Sequence, residues 1–143
     1  MAARIQILNH DHTVGEISAA NPLPVTSVPA GGGADVDAAD LLYTTGTTAA
    51  LGVTTLVAAP GAGVRIVVSA FMIQNESAVA TTIQVRAGGA SAFRALLQTQ
   101  GSALSGAFLV GREWKLPANA ALNVNLSAAN SHGYSVVYYT EAA

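Results

Sequence analysis

The sequence predicts an all-β chain, a jelly-roll-like antiparallel β-sandwich with an extended N-terminal arm. Three observations point there. Apolar residues alternate with small or polar ones at a period of two through residues 79–86 and 122–126, the period of a strand with one buried face. Such segments recur at spacings of about 8–12 residues and end in Gly, Pro, Asn or Ser clusters, as sandwiches and jelly rolls require. No series of helical segments alternates with the strands, so an α/β reading is poor.

The arm is residues 1–30. Ile5 and Ile7 flank Gln6, a short strand, and residues 9–13 form a polar turn. Val14 and Ile17 do not continue the alternation. NPLPVTSVP then carries Pro22, Pro24 and Pro29. Proline locks φ and drives the preceding residue to extended geometry, so this stretch is a ribbon or an edge strand. A ribbon with so few internal contacts needs another surface to lie on. Residues 31–40, GGGADVDAAD, read as a flexible joint, with Asp35 placed to cap a short helix running to Leu42 or Tyr43.

Residues 41–143 hold the sandwich, in roughly eight strands. LLYTTG and TTLVAAPG give two short strands, ending at Gly46 and at Pro60-Gly61. VRIVVSAFMIQN (residues 64–75) is long and apolar on both faces, as a central strand is. Val79, Thr81, Ile83 and Val85 share one face of the next strand, which Gly88-Gly89 breaks. AFRALLQTQ (92–100) reads as a strand by its neighbours, and AFLVGREWKL (107–116) as another, holding Phe108, Trp114 and Leu116. Leu122, Val124 and Leu126 alternate with Asn123 and Asn125. YSVVYYTE (134–141) closes the chain with β-branched and aromatic residues. The predicted core includes Ile66, Val68, Ile83, Val85, Leu122, Val124 and Val136.

Composition narrows the function. Of 143 residues 51% are hydrophobic and only 10% charged, with mean hydropathy +0.43; an ordinary soluble domain carries about 25% charged residues. Six Lys and Arg against eight Asp and Glu leave a net charge of -2, which argues against nucleic acid as a partner. With no Cys, disulfide scaffolds and thiol chemistry are excluded. The opening MAARIQILNHDH lacks a signal-peptide core, and GVRIVVSAFMI (63–73) is too short for a membrane helix and contains Arg65. The expectation is a soluble chain made in a cytoplasm, with no membrane partner.

Little in the sequence carries chemistry. His10 and His12 share one side of an extended chain, but no third or fourth ligand is near, so a polar turn is the simpler reading and no metal is expected. Asp35, Asp37 and Asp40 miss the calcium-loop pattern, with Gly46 where its closing Glu should stand. GSALSG (101–106) lacks the spacing of a nucleophile elbow, and His132, in the turn-like NSHG, is the lone histidine of the β region. An esterase-like site would need His132 beside a Ser and an acid. Glu76, Glu113 and Glu141 show no pairing of the glycosidase kind. Trp114, with Tyr134, Tyr138 and Tyr139, would make a stacking platform for a sugar or receptor, though packing in a core or interface explains large aromatics as well. Tyr138 and Tyr139 point to opposite faces of one strand. Arg65, Arg86, Arg94 and Arg112 are dispersed. No cofactor and no enzyme activity are expected.

A low charge fraction leaves surface without strong hydration, and large apolar patches of that kind mark contacts. RIQILNHDHTVGEISAANPLPVTSV (residues 4–28) resembles the opening of small structural proteins of tailed bacteriophages. REWKLPANAALNVNLSAANSHGYSVVYYTE (112–141) resembles the closing strands of phage head-decoration or fibre-type β domains, with an aromatic residue, an LPAN turn and an alternating strand. The likeness spans about half the chain and leaves 41–110 outside. It implies a virion structural protein on the capsid surface that cements neighbouring major capsid proteins, commonly as a homotrimer, and it brings no catalytic residues. Ile5, Ile7, Leu23, Val25 and Val28 are the expected arm contacts, made by strand addition to a neighbour's sheet edge. The alternative is a carbohydrate- or receptor-binding module of a phage tail or fibre, centred on Trp114.

Overall fold

The computed structural model describes residues 40–143, together with the backbone of two short strands in the arm. The chain divides into two units, Met1–Ala34 and Asp35–Ala143. In the first, β1 (Gln6–Leu8) and β2 (Val14–Glu16) pair antiparallel, Ile7 standing opposite Gly15. β1 is the short strand expected around Gln6. β2 begins at Val14, where the alternation alone placed nothing.

The second unit is the sandwich. Its strands are β3 (Leu42–Thr48), β4 (Gly52–Val57), β5 (Val64–Asn75), β6 (Thr81–Ala87), β7 (Ala90–Leu97), β8 (Ala103–Ala107), β9 (Trp114–Lys115), β10 (Leu122–Leu126) and β11 (His132–Ala142). One sheet runs β3-β11-β5-β8, with β9 also on β5, and the other runs β4-β10-β6-β7. All pairings are antiparallel. Read across, the two orders place β3 with β4, β11 with β10, β5 with β6 and β8 with β7, so sequence neighbours occupy matching positions in the two sheets. That is the wiring of a jelly roll, the predicted class.

The core lies between the sheets. Ile66, Val68, Ile83, Val85, Leu122, Val124 and Val136, all expected inside, are fully buried. Leu56, Val57, Phe71, Ile73, Leu97, Leu116 and Leu126 complete it. Burial of a branched aliphatic side chain stabilises by about 1.5–3 kcal/mol, so this set is the main source of cohesion. The long central strand β5 is apolar on both sides for a reason visible in its register. Val137 pairs with Ala70 and Tyr138 with Val68, so Ser69 is an extra residue, a β-bulge. Inward positions are Ile66 and Val68 before it, and Phe71 and Ile73 after it. Across the bulge the edge partner changes from β9 to β8, and the Ser69 carbonyl accepts a hydrogen bond from the Phe108 amide at 2.9 Å.

Four expectations need correction. Leu42 and Tyr43 lie in β3, so no helix reaches them; Asp35 lies outside the described residues. Residues 107–116 are not one strand: a turn interrupts them, its Arg112 amide donating to the Leu109 carbonyl at 2.9 Å with Gly111 at φ 80°, a geometry that favours glycine. The strand at this point is instead β8, inside the Ser- and Gly-rich run that sequence reading passed over. Gly106 is there because Phe71 crosses it: a Cβ at 106 would lie 2.6 Å from the Phe71 ring. His132 is not a turn residue but the buried first residue of β11. Val79 does not share the β6 face; it is exposed in the preceding loop, and β6 starts at Thr81.

A candidate interaction face on the five-stranded sheet

Register fixes which side chains stand together on the outer side of the β3-β11-β5-β8 sheet. Tyr43, Val137, Ala70 and Ala107 are aligned in one row. Thr45, Ser135, Met72 and Ser105 make the second, and Thr47, Gly133, Gln74 and Ala103 the third. None of these side chains is charged. Most are small, so the middle of the face is low, and a depression of about 210 Å³ lies there, lined by Ala70, Met72, Ser105, Ala107, Ser135 and Val137.

Charge gathers at the two ends. At one, Glu76 reaches over Gly133, where an added Cβ would stand 2.6 Å from Oε1, and Oε2 accepts the Ser131 hydroxyl at 2.6 Å. At the other, beyond the bulge, Lys115 Nζ sits 2.8 Å from Glu141 Oε1 and Arg65 Nε 3.6 Å from the same oxygen. That hydrogen bond to Glu141 raises the Lys115 ammonium above its usual pKa. Val67, paired between Tyr139 and Lys115, is fully buried despite facing outward. The Tyr139 phenol is raised as well, first by its burial and then by the nearby Glu113 and Glu141 carboxylates. The outer face is therefore uncharged at its centre and ionic at its two ends.

The borders of the face are apolar. Edge strand β3 exposes Leu42 and Tyr43, and residues 41–57, which span both edge strands β3 and β4, hold no charge and no proline. Natural sheet edges are normally blunted by charge, proline or a bulge; β4 has a bulge at Leu56, and β3 has none of the three. Past β8, the turn described above exposes Leu109 by 76% and Val110 by 95%. The outer side of the other sheet differs. It carries the charged Arg86 and Arg94 with Gln84, Asn123 and Asn125 in register, Asn123 Nδ2 donating to the Gly88 carbonyl at 3.0 Å, and exposes Val53 and Leu96 beside them.

The residues singled out from sequence fall in three places. Ile5, Leu23, Val25 and Val28 lie outside the described residues, and Ile7 is described only as backbone in β1. His10, His12, Asp35 and Asp37 also lie outside. Trp114, in β9, joins an aromatic cluster packed on the core: its ring meets Phe93 edge-on at 5.0 Å and Phe71 at 6.4 Å, and Phe108 is 6.1 Å from Phe93. Tyr138 packs toward the core, and Tyr139, past the bulge, faces outward.

His132 sits in a buried polar cluster at one end of the sandwich. Its Nδ1 lies 2.7 Å from the Asn130 carbonyl, and its Nε2 has no partner. Asn130 Oδ1 accepts the Thr81 hydroxyl at 2.6 Å, and its Nδ2 reaches Asn75 Oδ1 and the Val79 carbonyl, each at 3.2 Å. Among the described residues, no serine or carboxylate is hydrogen-bonded to His132, and no three His, Asp or Glu side chains form a metal-holding group. The geometry is that of a network tying β5, β6 and β11 together. Sequence reading missed it because NSHG looks like surface.

No protein-family model matches this chain, and no curated protein is significantly similar to it.

Proposed function

We propose that this chain is a virion structural protein, a capsid decoration subunit that bridges neighbouring major capsid proteins through its arm and its β domain, with copies closing into a homotrimeric ring. The observation that carries the reading is the outer face of the five-stranded sheet, uncharged at all twelve register positions. An apolar or neutral sheet face of this extent is stabilised by being covered, at about 25 cal/mol per Å² of apolar area. The phage-like terminal segments and the jelly-roll wiring support the same reading. Repetition of a modest contact around a ring supplies avidity that one contact lacks.

The test is co-sedimentation of the purified chain with shells of the major capsid protein made alongside it. Binding that saturates at a fixed number of copies per lattice site supports the proposal, as does its loss when residues 1–30 are removed. Absence of binding by the full chain refutes it, and full binding by the shortened chain refutes the role of the arm. A glycan-array signal that Trp114→Ala abolishes, without capsid binding, would establish the receptor-module reading in its place.

A further inference from the structure

We propose that the outer face of the β3-β11-β5-β8 sheet is an interface between copies of this chain, in which the turn carrying Leu109 and Val110 from a second copy seats in the depression. The inference stands on the sheet register and not on the capsid reading.

Three observations select a second copy as the occupant. The first is charge. A charged partner surface brought onto this neutral face would lose its water and gain no counter-charge, a cost of several kcal/mol per ion. The occupant is therefore neutral at its centre, and this chain supplies such a surface. The second is fit. The depression holds about 210 Å³ behind Ala70, Met72, Ala107 and Val137, room for a branched aliphatic side chain. Val110 and Leu109 are 95% and 76% exposed, so they do not fill it in their own chain. An apolar knob and an apolar socket on one molecule are joined only when two molecules meet.

The third observation is area. Four strands about 4.8 Å apart, over five residues of about 3.4 Å each, give a patch of roughly 320 Å². The turn past β8 extends it, Leu109 and Val110 each adding on the order of 100 Å². A pair of copies then buries roughly 1,000 Å², below the ~1,200 Å² of standard specific interfaces and in the range of weak, transient ones. The contact is at the weak end, so self-association depends on concentration.

The experiment is native mass measurement of the full chain across a dilution series. The wild type is expected to self-associate. Ser105→Glu, Ser135→Glu and Val110→Asp should each weaken that association at least tenfold with an unchanged circular dichroism spectrum. The double variant Val110→Asp with Ser135→Glu should weaken it little further, since both act on one contact. Gln84→Glu, on the outer side of the other sheet, should leave it unchanged. A wild type that stays monomeric at millimolar concentration overturns the inference, as does association indifferent to all three substitutions. If the monomeric wild type binds capsid shells and Ser135→Glu abolishes that binding, the face belongs to the capsid protein: this inference and the homotrimeric ring both fail, while the capsid-binding part of the proposed function stands.

Discussion

Replacing Gly106 by alanine tests how tightly the two sheets are fitted together. The glycine has ordinary strand geometry, so alanine there suffers no backbone strain. The added Cβ would stand 2.6 Å from Phe71 Cε1 and 3.1 Å from Cζ, where carbon atoms prefer about 3.5–4.0 Å. The ring must retreat by nearly an ångström, and its neighbours oppose that: Phe93 lies 5.3 Å away, and Phe108 and Trp114 each 6.4 Å. Overpacking of this kind costs about 1–3 kcal/mol. Loss of glycine freedom in the unfolded chain returns about 0.4–1 kcal/mol. A net destabilisation of about 1–2 kcal/mol follows. Gly89→Ala is the control, because nothing lies within 4 Å of its Cβ and its φ is not left-handed; it should be neutral or slightly stabilising. Urea denaturation reads both, as a lower midpoint at constant slope. Adding Phe71→Leu to Gly106→Ala should cost less than the two changes summed, since the smaller side chain relieves the clash. A Gly106→Ala protein as stable as Gly89→Ala would refute the packing argument.

Ile83→Ala, at a fully buried position of β6, should cost about 2–5 kcal/mol in the same assay. Asn130→Ala should cost about 1–3 kcal/mol, because it removes the short acceptor of the buried Thr81 hydroxyl and leaves Asn75 Oδ1 with the Ser77 amide alone; a thermal melt unchanged from wild type would contradict it. Alkaline pH should destabilise the fold. Tyr139 holds its proton above its ordinary pKa of 10.0 when folded, so the unfolded chain gives up that proton first. The stability it contributes is complete below pH 10 and is lost as pH rises through the higher folded value. Lys115, also raised, acts in the same direction. Tyr139→Phe should therefore flatten, without abolishing, the fall of the melting temperature above pH 10, and an unaltered profile would contradict the assignment.

How far the sequence reaches can be seen strand by strand. β5 and the core positions of β6 and β10 were legible, because strand periodicity and branched side chains report burial directly. β8 was not: Ala103–Ala107 has neither bulk nor clear alternation, and it is a strand because its backbone completes the edge of β5 and its glycine clears Phe71. The face proposed as an interface was equally hidden. Its twelve positions come from four segments separated by long stretches of chain, each of which alone reads as a run of small, unremarkable residues.

The amino-acid sequence by itself determined that this chain is β, that Ile66, Val68, Ile83, Val85, Leu122, Val124 and Val136 are its interior, and that its charge is scarce. Those properties are local: they follow from period, side-chain shape and count. The tertiary structure alone decided which scarce charges meet, that His132 is buried and Leu109 and Val110 are not, and which face stays neutral. The physical reason is register. A bulge at Ser69 reverses which side chains of β5 face inward, and antiparallel pairing then aligns residues far apart in the chain, so surface chemistry belongs to the sheet and not to any one strand.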